Sequence, residues 1–174
     1  SLTELKRTVT TQAQIMAESG ADLLMLEMMI DIEQMMVTYE AAKSSDLPIW
    51  VGLTCEPSDQ GKICLRDGDP LEQALVSLNN DKPDVINIMH TDVSYVIPTL
   101  NCLKSGWNKP IGVYAHSGKV KNGKWTFNDV LSPTEYLRHV ESWIDKGVKF
   151  IGGCCGINVK HLNLLNKKLI NNPD

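Results

Sequence analysis

The chain has 174 residues, with 17 basic and 21 acidic side chains and a formal net charge of −4 at pH 7. This mild acidity argues against a nucleic-acid-binding protein, which would present a clustered basic face to phosphates. With 43% hydrophobic and 22% charged residues, the composition excludes a disordered chain. No apolar run approaches the roughly 20 residues that a membrane span requires. The length fits one domain that is large enough to bury a core.

The first part of the chain alternates patterns that are typical of helices and of short buried strands. Apolar residues at helical spacing end at Gly20, and the run that follows is almost continuously apolar, as in a parallel strand buried on both faces. Asp31 provides an N-cap for the next helix. We therefore predict, in chain order, helix 2–19, strand 21–27, helix 32–43, strand 48–54 and a polar loop over 56–68.

The rest of the chain repeats this alternation. Asp69-Pro70 and Ser132-Pro133 each combine an N-cap residue with a proline at the first helical position, so both mark the start of a helix. Pro98 indicates a kink or an adjusted start in the helix that contains it. The predicted elements are helix 69–79, strand 84–89, helix 93–103, strand 110–115, a long loop over 116–131, helix 132–147, strand 148–152 and helix 158–169.

This alternation predicts an α/β fold built from parallel βα units. Open doubly wound sheets and (β/α)₈ barrels share the pattern, but no G-x-G-x-x-G follows a strand, which disfavours a dinucleotide-binding domain. Polar and reactive side chains follow the strand ends, and in both architectures that edge of the sheet holds the active site. These residues are Glu27, Thr54, Cys55, Glu56, His90, His116, Ser117, Cys154 and Cys155.

The densest chemical signal is the segment Gly152-Gly153-Cys154-Cys155-Gly156. Neighbouring strand residues point to opposite faces, so the two thiols can reach one ion only where the strand ends and turns. The glycines permit such a turn, and thiolates are strong zinc ligands. Two alternatives remain open: small buried cysteines that fill a tight junction, or a strained vicinal disulfide. A thiol oxidoreductase is disfavoured because the spacing is not C-x-x-C.

A zinc site needs a third protein ligand besides the two cysteines. Cys55 follows the second strand, His90 the third and His116 the fourth, so each faces the same edge of the sheet. Each histidine taken alone is better explained as a polar loop residue or a substrate contact. Cys102 lies deep in a helix and is explained as a core residue, whereas Cys64 lies in a loop and is explained as incidental. His139 and His161 lie on helices and are explained as surface or packing residues.

Two further residues each allow a structural and a functional interpretation. Glu27 closes an apolar strand, where a carboxylate is costly unless it is paired. It either forms a salt bridge or cap with a neighbouring helix, or it receives the ammonium group of a substrate. Trp125, in the long loop after the fourth strand, is either a lid over the site or an anchor for that loop.

Four segments together resemble the homocysteine S-methyltransferase family. They are residues 20–27, residues 50–55, residues 114–118 and Gly152–Gly156 with His161 downstream. The last is a specific motif, and the others follow the order and spacing of the family, so the resemblance covers essentially all 174 residues. It implies a (β/α)₈ barrel in which three cysteines hold a zinc ion. That zinc binds the homocysteine thiol as a thiolate, which attacks the methyl group of a sulfonium, betaine or folate donor.

The resemblance also implies roles for residues of this chain. Cys154 and Cys155 would be zinc ligands, and Glu27 would be the catalytic residue that holds the homocysteine amino group. Thr54 and His116 would contact the substrate. The implied reaction transfers a methyl group from S-methylmethionine, S-adenosylmethionine or a betaine-class donor to homocysteine through the zinc-bound thiolate, giving methionine. Its partners would be these small molecules, with neither nucleic acid nor membrane.

The chain departs from the family pattern at two positions of the site. Met89 stands where the family has its first zinc cysteine, and a neutral thioether is a poor ligand for zinc. We predict His90, beside it, as the third ligand; the alternatives are weak zinc binding or none. His116 stands where an asparagine is usual, which leaves the identity of the substrate open or offers another ligand.

The length also departs from the family, because the resemblance begins at the helix before the fourth barrel strand. We expect a single homocysteine-binding-like domain over residues 1–174 that holds strands 4–8 and lacks the first three βα units. A complete barrel needs at least about 200 residues, and an open sheet exposes its edges. We therefore expect an oligomer, or pairing with the missing N-terminal half.

A second hypothesis keeps the family and changes the function. The chain would then be a non-catalytic or zinc-free barrel fragment or subunit that binds another small thiol or amine, or a partner chain. For either hypothesis we expect a cytoplasmic protein, because an odd number of cysteines, 5 in all, suits a reducing compartment.

Overall fold

A computed structural model describes residues 1–79, 83–121, 124–128 and 130–170, with only the backbone described at residues 119–121, 125 and 170. Helices and strands alternate along it. Its elements are α1 (Leu2–Glu18), β1 (Leu24–Met29), α2 (Ile32–Ala42), a 3₁₀ turn (Lys43–Ser45), β2 (Ile49–Leu53), β3 (Cys55–Pro57), β4 (Ile63–Leu65), α3 (Leu71–Asn79), β5 (Val85–Asp92), α4 (Val93–Gly106), β6 (Ile111–His116), β7 (Lys119–Lys121), β8 (Lys124–Thr126), α5 (Pro133–Asp145), β9 (Phe150–Ile151), α6 (Val159–Leu165) and a π-helical turn (Asn166–Ile170).

The main sheet has five strands in the order β1-β2-β5-β6-β9, and every neighbouring pair runs parallel. This confirms the predicted α/β fold with a parallel sheet. The central strands are buried because helices cover apolar side chains: Val51 and Leu53 on β2 and Ile86 and Ile88 on β5 are all 0% exposed. All five carboxyl ends therefore meet at one edge of the sheet.

Strand β5 runs past its predicted end at residue 89. Its pairing with β6 shifts register between Met89 and Asp92, and His90 has a φ of +48°. A bulge of this kind re-aims a side chain at the rim of a sheet. The prediction stopped early because the apolar pattern ends at Met89, whereas the backbone pairing continues.

Both long predicted loops contain a short antiparallel hairpin that the sequence analysis did not predict. The first hairpin pairs β3 with β4, and the second pairs β7 with β8. Each strand has only three residues, which is too short for an alternating pattern to be recognised. The side chain of Trp125, on β8, lies outside the described residues, so both interpretations of it stay predictions.

Two of the predicted helix starts, at Asp31 and Ser132, are confirmed by their capping contacts. The start predicted at Asp69-Pro70 differs: α3 begins at Leu71, and the Asp69 carboxylate accepts a hydrogen bond from the Ile32 N–H at 2.7 Å, at the start of α2. The Asp31 carboxylate accepts a hydrogen bond from the Gln34 N–H at 2.8 Å. Ser132 and Glu135, which lie on either side of Pro133 in the chain, form a reciprocal capping box. Pro98 lies inside α4. No helix in the described ranges is long and apolar enough to cross a membrane.

The two outer strands of the sheet each have one pairing partner in the described structure: β1 pairs with β2, and β9 pairs with β6. Beside β1, a groove of about 490 Å³ is lined by side chains of α1 and of the strand itself. Beside β9, Phe150 is 39% exposed. Large apolar side chains therefore reach the surface next to both outer strands.

Candidate functional site

A cleft of about 370 Å³ opens at the carboxyl edge of the sheet, where the predicted functional residues follow the strands. Its walls come from the ends of β1, β2, β5 and β6, from the first hairpin and from the turn after β9. Eleven residues line it: Met28, Thr54, Cys55, Glu56, Arg66, His90, Asp92, Tyr95, His116, Cys154 and Cys155. Of the residues predicted at this edge, Glu27 and Ser117 are absent from the lining, and Glu27 contacts the site through His90.

The turn that carries the two cysteines is held against the end of β6. The Cys154 N–H donates to the Ala115 carbonyl at 3.0 Å, and the Cys155 carbonyl accepts from the Ser117 N–H at 3.0 Å. At Gly153 a side chain has no room, because a Cβ there would lie 2.2 Å from Cγ2 of Ile157. Glycine is therefore required for the turn that brings both thiols into the cleft.

The two sulfur atoms lie 3.6 Å apart, and both cysteines are free. A disulfide requires an S–S distance of about 2.05 Å, so the vicinal disulfide is contradicted. Tetrahedral zinc with Zn–S bonds of about 2.3 Å separates two sulfur ligands by about 3.8 Å. The observed spacing is close to that value. Burial is the main cause that raises the pKa of the Cys154 thiol, to about 11.

His90 reaches the cysteines from the bulge at the end of β5. Its Nδ1 lies 2.8 Å from the Cys154 sulfur, and its Nε2 lies 3.9 Å from Oε2 of Glu27. Within the described residues, Nε2 has no hydrogen-bond partner. The imidazole thus stands between a thiol and a carboxylate, with one nitrogen facing each.

Glu27 is fixed by a residue to which the sequence analysis gave no role. The Tyr114 hydroxyl donates a hydrogen bond to Oε1 of Glu27 at 2.8 Å. Burial, followed by this carboxylate, raises the pKa of Tyr114 above its ordinary value. Tyr114 lies two positions before His116 on β6, and residues two apart on a strand share a face. That alternation was the signal that could have identified it.

Met89, the residue that the resemblance aligns with a zinc cysteine, contacts other groups than the thiols. It is 0% exposed, and its sulfur accepts a hydrogen bond from the Met28 N–H at 3.3 Å. The Tyr114 hydroxyl lies 3.6 Å from the same sulfur. The methyl end of Met89 occupies the space above Gly52, where a Cβ would lie 2.1 Å from it. Met89 therefore packs inside the sheet layer beside the site.

The remaining predicted substrate contacts both line the cleft. Thr54 is 2% exposed, and within the described residues its hydroxyl has no hydrogen-bond partner. The Nδ1 atom of His116 lies 3.0 Å from the Gly118 carbonyl, which requires the proton on that nitrogen. Burial is the main cause that lowers the pKa of His116, and the positive charge of Arg66 acts in the same direction.

The other cysteines and histidines have structural surroundings. Burial raises the pKa of Cys55 to about 12, and its N–H donates to the Thr91 hydroxyl at 3.0 Å. His161 is buried and contacts the Leu131 carbonyl at 2.8 Å, which confirms its packing role. The expectation for Cys64 was wrong, because it is buried in β4 instead of lying incidentally in a loop. Cys102 is partly buried and packs against the core.

No group of three His, Cys, Asp or Glu side chains in the described ranges is arranged to hold a metal ion as it stands. The nearest arrangement is Cys154, Cys155 and His90. Two thiols and an imidazole are the donor types that zinc takes. The 2.8 Å contact between His90 and Cys154 is a hydrogen-bond distance with a proton between the atoms. The donor types therefore fit zinc, provided that the proton is removed and the two atoms move apart to the roughly 3.5 Å that tetrahedral zinc requires.

These features define an α/β protein with a parallel sheet and a pair of thiols at its carboxyl edge. The model of the family described as homocysteine S-methyltransferase matches residues 1–169. The chain therefore belongs to the homocysteine S-methyltransferase family.

Several known proteins are similar to most of this chain. Homocysteine S-methyltransferase 2 of Arabidopsis thaliana is 24% identical, over 98% of this chain and 52% of its own length. Homocysteine S-methyltransferase 3 of the same plant is 29% identical, over 93% and 47%. The selenocysteine Se-methyltransferase of Brassica oleracea var. italica is 25% identical, over 98% and 50%. The chain thus spans about half the length of the curated relatives it matches.

The fold is also similar to that of a solved structure. The metallated form of the homocysteine methyltransferase MmuM from Escherichia coli matches with a TM-score of 0.76 and 20% sequence identity. The match covers 97% of this chain and 52% of that one. At this identity the likeness concerns the fold alone.

Proposed function

We propose that this protein transfers a methyl group from a small donor to the thiol of homocysteine, giving methionine. The observation that carries the proposal is the convergence of Cys154, Cys155 and His90 at the carboxyl edge of the sheet, in a chain of this family. The donor belongs to the S-methylmethionine, S-adenosylmethionine or betaine class. The methyl carbon leaves the donor heteroatom, which keeps the bonding electron pair, and the homocysteine sulfur gains the methyl group and loses its proton.

We propose zinc as the cofactor, held by Cys154, Cys155 and Nδ1 of His90. When bound, zinc supplies the Lewis acidity that keeps a substrate thiol deprotonated at neutral pH. His90 then carries its remaining proton on Nε2, which faces Oε2 of Glu27 at 3.9 Å. A carboxylate opposite the second nitrogen orients a ligating histidine.

The amino group of homocysteine binds the carboxylate of Glu27. Its side chain is 56% exposed, so an incoming ammonium group can reach it. Tyr114 holds Oε1, which leaves Oε2 toward the cleft side where His90 lies. Thr54 and His116 line the same cleft and contact the remainder of the substrate.

We propose that the sheet is part of a (β/α)₈ barrel, containing its strands 4–8, and that further βα units pair with it from the same or another chain. Three observations support this: each outer strand has a single partner among the described residues, exposed apolar surface lies beside both, and the chain covers about half the length of its relatives. Closing a barrel removes unpaired strand edges.

Metal content and methyl transfer test the proposal. We expect about one zinc per protein molecule and formation of methionine from homocysteine and S-methylmethionine. In the Cys154→Ser variant, the zinc content and the rate of methionine formation should each fall by at least tenfold, because a hydroxyl is a much poorer zinc ligand than a thiolate. Cys102→Ser, a partly buried cysteine on α4, is the matched control and should retain both. Metal-free protein with full transfer activity would reject the zinc chemistry.

One observation favours a second candidate, a family member that binds a small thiol or amine without zinc. In the described residues the His90–Cys154 contact is a hydrogen bond and no complete metal-binding group is formed. For this candidate, protein prepared with excess zinc should contain no bound metal after dialysis. It should bind homocysteine with the same affinity as protein that was prepared without zinc. Stoichiometric zinc eliminates it.

A further inference from the structure

One cationic residue in the wall of the cleft has no role in the proposed chemistry. Arg66 follows the first hairpin, and its backbone position is tightly held. Its N–H donates to the Thr54 carbonyl at 3.0 Å, and the next N–H, of Asp67, donates to the Ile30 carbonyl at 3.1 Å. The segment is thereby tied to the ends of β1 and β2. This places Arg66 at the mouth of the cleft.

The side chain of Arg66 is exposed and has no hydrogen-bond or ion-pair partner among the described residues. Two acidic residues line the same cleft. The carboxylate of Asp92 already accepts hydrogen bonds from the N–H and the hydroxyl of Ser94, at 2.9 and 2.6 Å. Glu56 lies on β3 and forms no ion pair with Arg66 in the part of the chain described. The guanidinium charge is therefore available to a ligand.

A second observation comes from the residue beside it. Thr54 is joined to Arg66 by the backbone hydrogen bond, and both line the cleft. The Thr54 hydroxyl is buried without a partner in the described ranges. A buried hydroxyl that makes no hydrogen bond is unfavourable, and a partner from outside the chain that reaches it removes that cost.

We propose that Arg66 and Thr54 form a carboxylate-binding subsite at the mouth of the cleft. Its ligand is the α-carboxylate of an amino acid, which is either the thiol acceptor or an amino-acid sulfonium donor. The inference rests on the proposed function, because that function supplies the amino-acid ligand. A planar guanidinium binds a carboxylate through two parallel N–H bonds, and the hydroxyl donates a further bond.

Binding measured by calorimetry tests the subsite without requiring turnover. Two ligand pairs differ only in the carboxylate: L-homocysteine against 3-aminopropane-1-thiol, and S-methylmethionine against dimethyl(3-aminopropyl)sulfonium. We expect Arg66→Gln to weaken at least one of the two acids by about tenfold or more, as for loss of a charge-assisted hydrogen bond. The matching compound without a carboxylate should bind unchanged.

Three variants sharpen the comparison. Arg66→Lys keeps the positive charge but lacks the two parallel N–H donors of the guanidinium, so it should recover only part of the affinity for the acid. Arg138→Gln removes an exposed arginine on α5, outside the cleft, and should change neither pair. Thr54→Val should weaken the same acid by about threefold to tenfold, as for loss of a neutral hydrogen bond.

The outcomes show whether the acceptor or the donor supplies the carboxylate. They also test the subsite separately from the proposed function. An effect on homocysteine alone assigns the subsite to the acceptor, and an effect on S-methylmethionine alone assigns it to the donor. If the acids bind the wild type and Arg66→Gln leaves both affinities unchanged, the subsite is rejected and the proposed function stands. If wild type does not bind homocysteine, the proposed function fails. The subsite is then judged on S-methylmethionine and 4-mercaptobutanoate, and an absence of any Arg66→Gln effect rejects it.

Discussion

A continuous set of contacts links Tyr114, Glu27, His90 and Cys154 across three strands and the turn after β9. The hydroxyl–carboxylate distance is 2.8 Å, the carboxylate–imidazole distance is 3.9 Å, and the imidazole–thiol distance is 2.8 Å. Each group limits the rotation of the next. Loss of one group should therefore change the energetic contribution of its neighbours, since residues in one network are energetically coupled.

Tyr114→Phe removes the hydrogen bond to Glu27 and leaves the ring. We expect the affinity for homocysteine to fall about threefold to tenfold, because a less constrained carboxylate holds the amino group less well. The affinity for 4-mercaptobutanoate, which has no amino group, should not change. In a Glu27→Gln background the effect of Tyr114→Phe on homocysteine should shrink. An equal loss for both ligands would show that Tyr114 acts only through packing.

Thr54→Val tests whether the unpartnered hydroxyl is kept for a ligand. The isosteric change removes an unsatisfied buried group, so the free energy of unfolding in urea should be unchanged or rise by up to about 1 kcal/mol. Thr91→Val is the matched control. The Thr91 hydroxyl accepts from the Cys55 N–H and donates to the Met89 carbonyl, so its loss should cost about 1–3 kcal/mol. Destabilisation of Thr54→Val by a similar amount would indicate an intramolecular role for its hydroxyl.

At the scale of elements, the irregular ends of strands build the site. The bulge of β5 turns His90 toward the cleft, and the short β9 leads directly into the glycine-lined turn of the cysteines. The first hairpin places Arg66 above the same edge. Regular strands could not bring these side chains together, because adjacent residues such as Cys154 and Cys155 would point to opposite faces of the sheet.

Gly153→Ala tests the packing of the cysteine turn. The new Cβ would lie 2.2 Å from Cγ2 of Ile157, so the turn must shift. We expect a loss of about 1–3 kcal/mol in the free energy of unfolding, typical of overpacking, together with weaker zinc binding. Gly106→Ala, where the nearest atom is 3.5 Å away, is the control and should leave stability unchanged or slightly raised. Equal stability of the two variants would contradict the tight turn.

At the scale of the whole molecule, the sheet has two outer strands whose free sides lie beside exposed apolar surface. The relatives matched by this chain are about twice as long. A parallel sheet is normally covered on both faces and, in a barrel, has no free edge. The molecule as described is thus consistent with the proposed additional βα units.

Hydrogen exchange measures whether such units pair with the sheet. If β1 and β9 gain partners, their backbone amides should exchange at rates as slow as those of β2 and β5 in the whole protein. Mass spectrometry of peptides covering the four strands provides the comparison, with β5 as the internal standard. Fast exchange confined to β1 and β9, in protein that transfers methyl groups, would show that function does not need the additional pairing.

The sequence alone was sufficient for the order of the main elements and for the edge that carries the site. Buried parallel strands have long apolar runs, and caps such as Asp31 and Ser132 use contacts within one turn of a helix. The Gly-Gly-Cys-Cys-Gly segment is also a local feature, so the sequence alone could suggest the proposed zinc chemistry.

Only the tertiary structure determined which distant side chains meet. The contacts of His90 with Cys154, of Tyr114 with Glu27 and of Arg66 with Thr54 join segments far apart in the chain or held by a hairpin. Alternation along β6 places Tyr114 on the face of His116, but it does not give the partner of either residue. Each contact depends on a bulge, a turn or the register between strands. The sequence determined the local elements through short-range contacts, and the tertiary structure determined the site through the packing of strand ends.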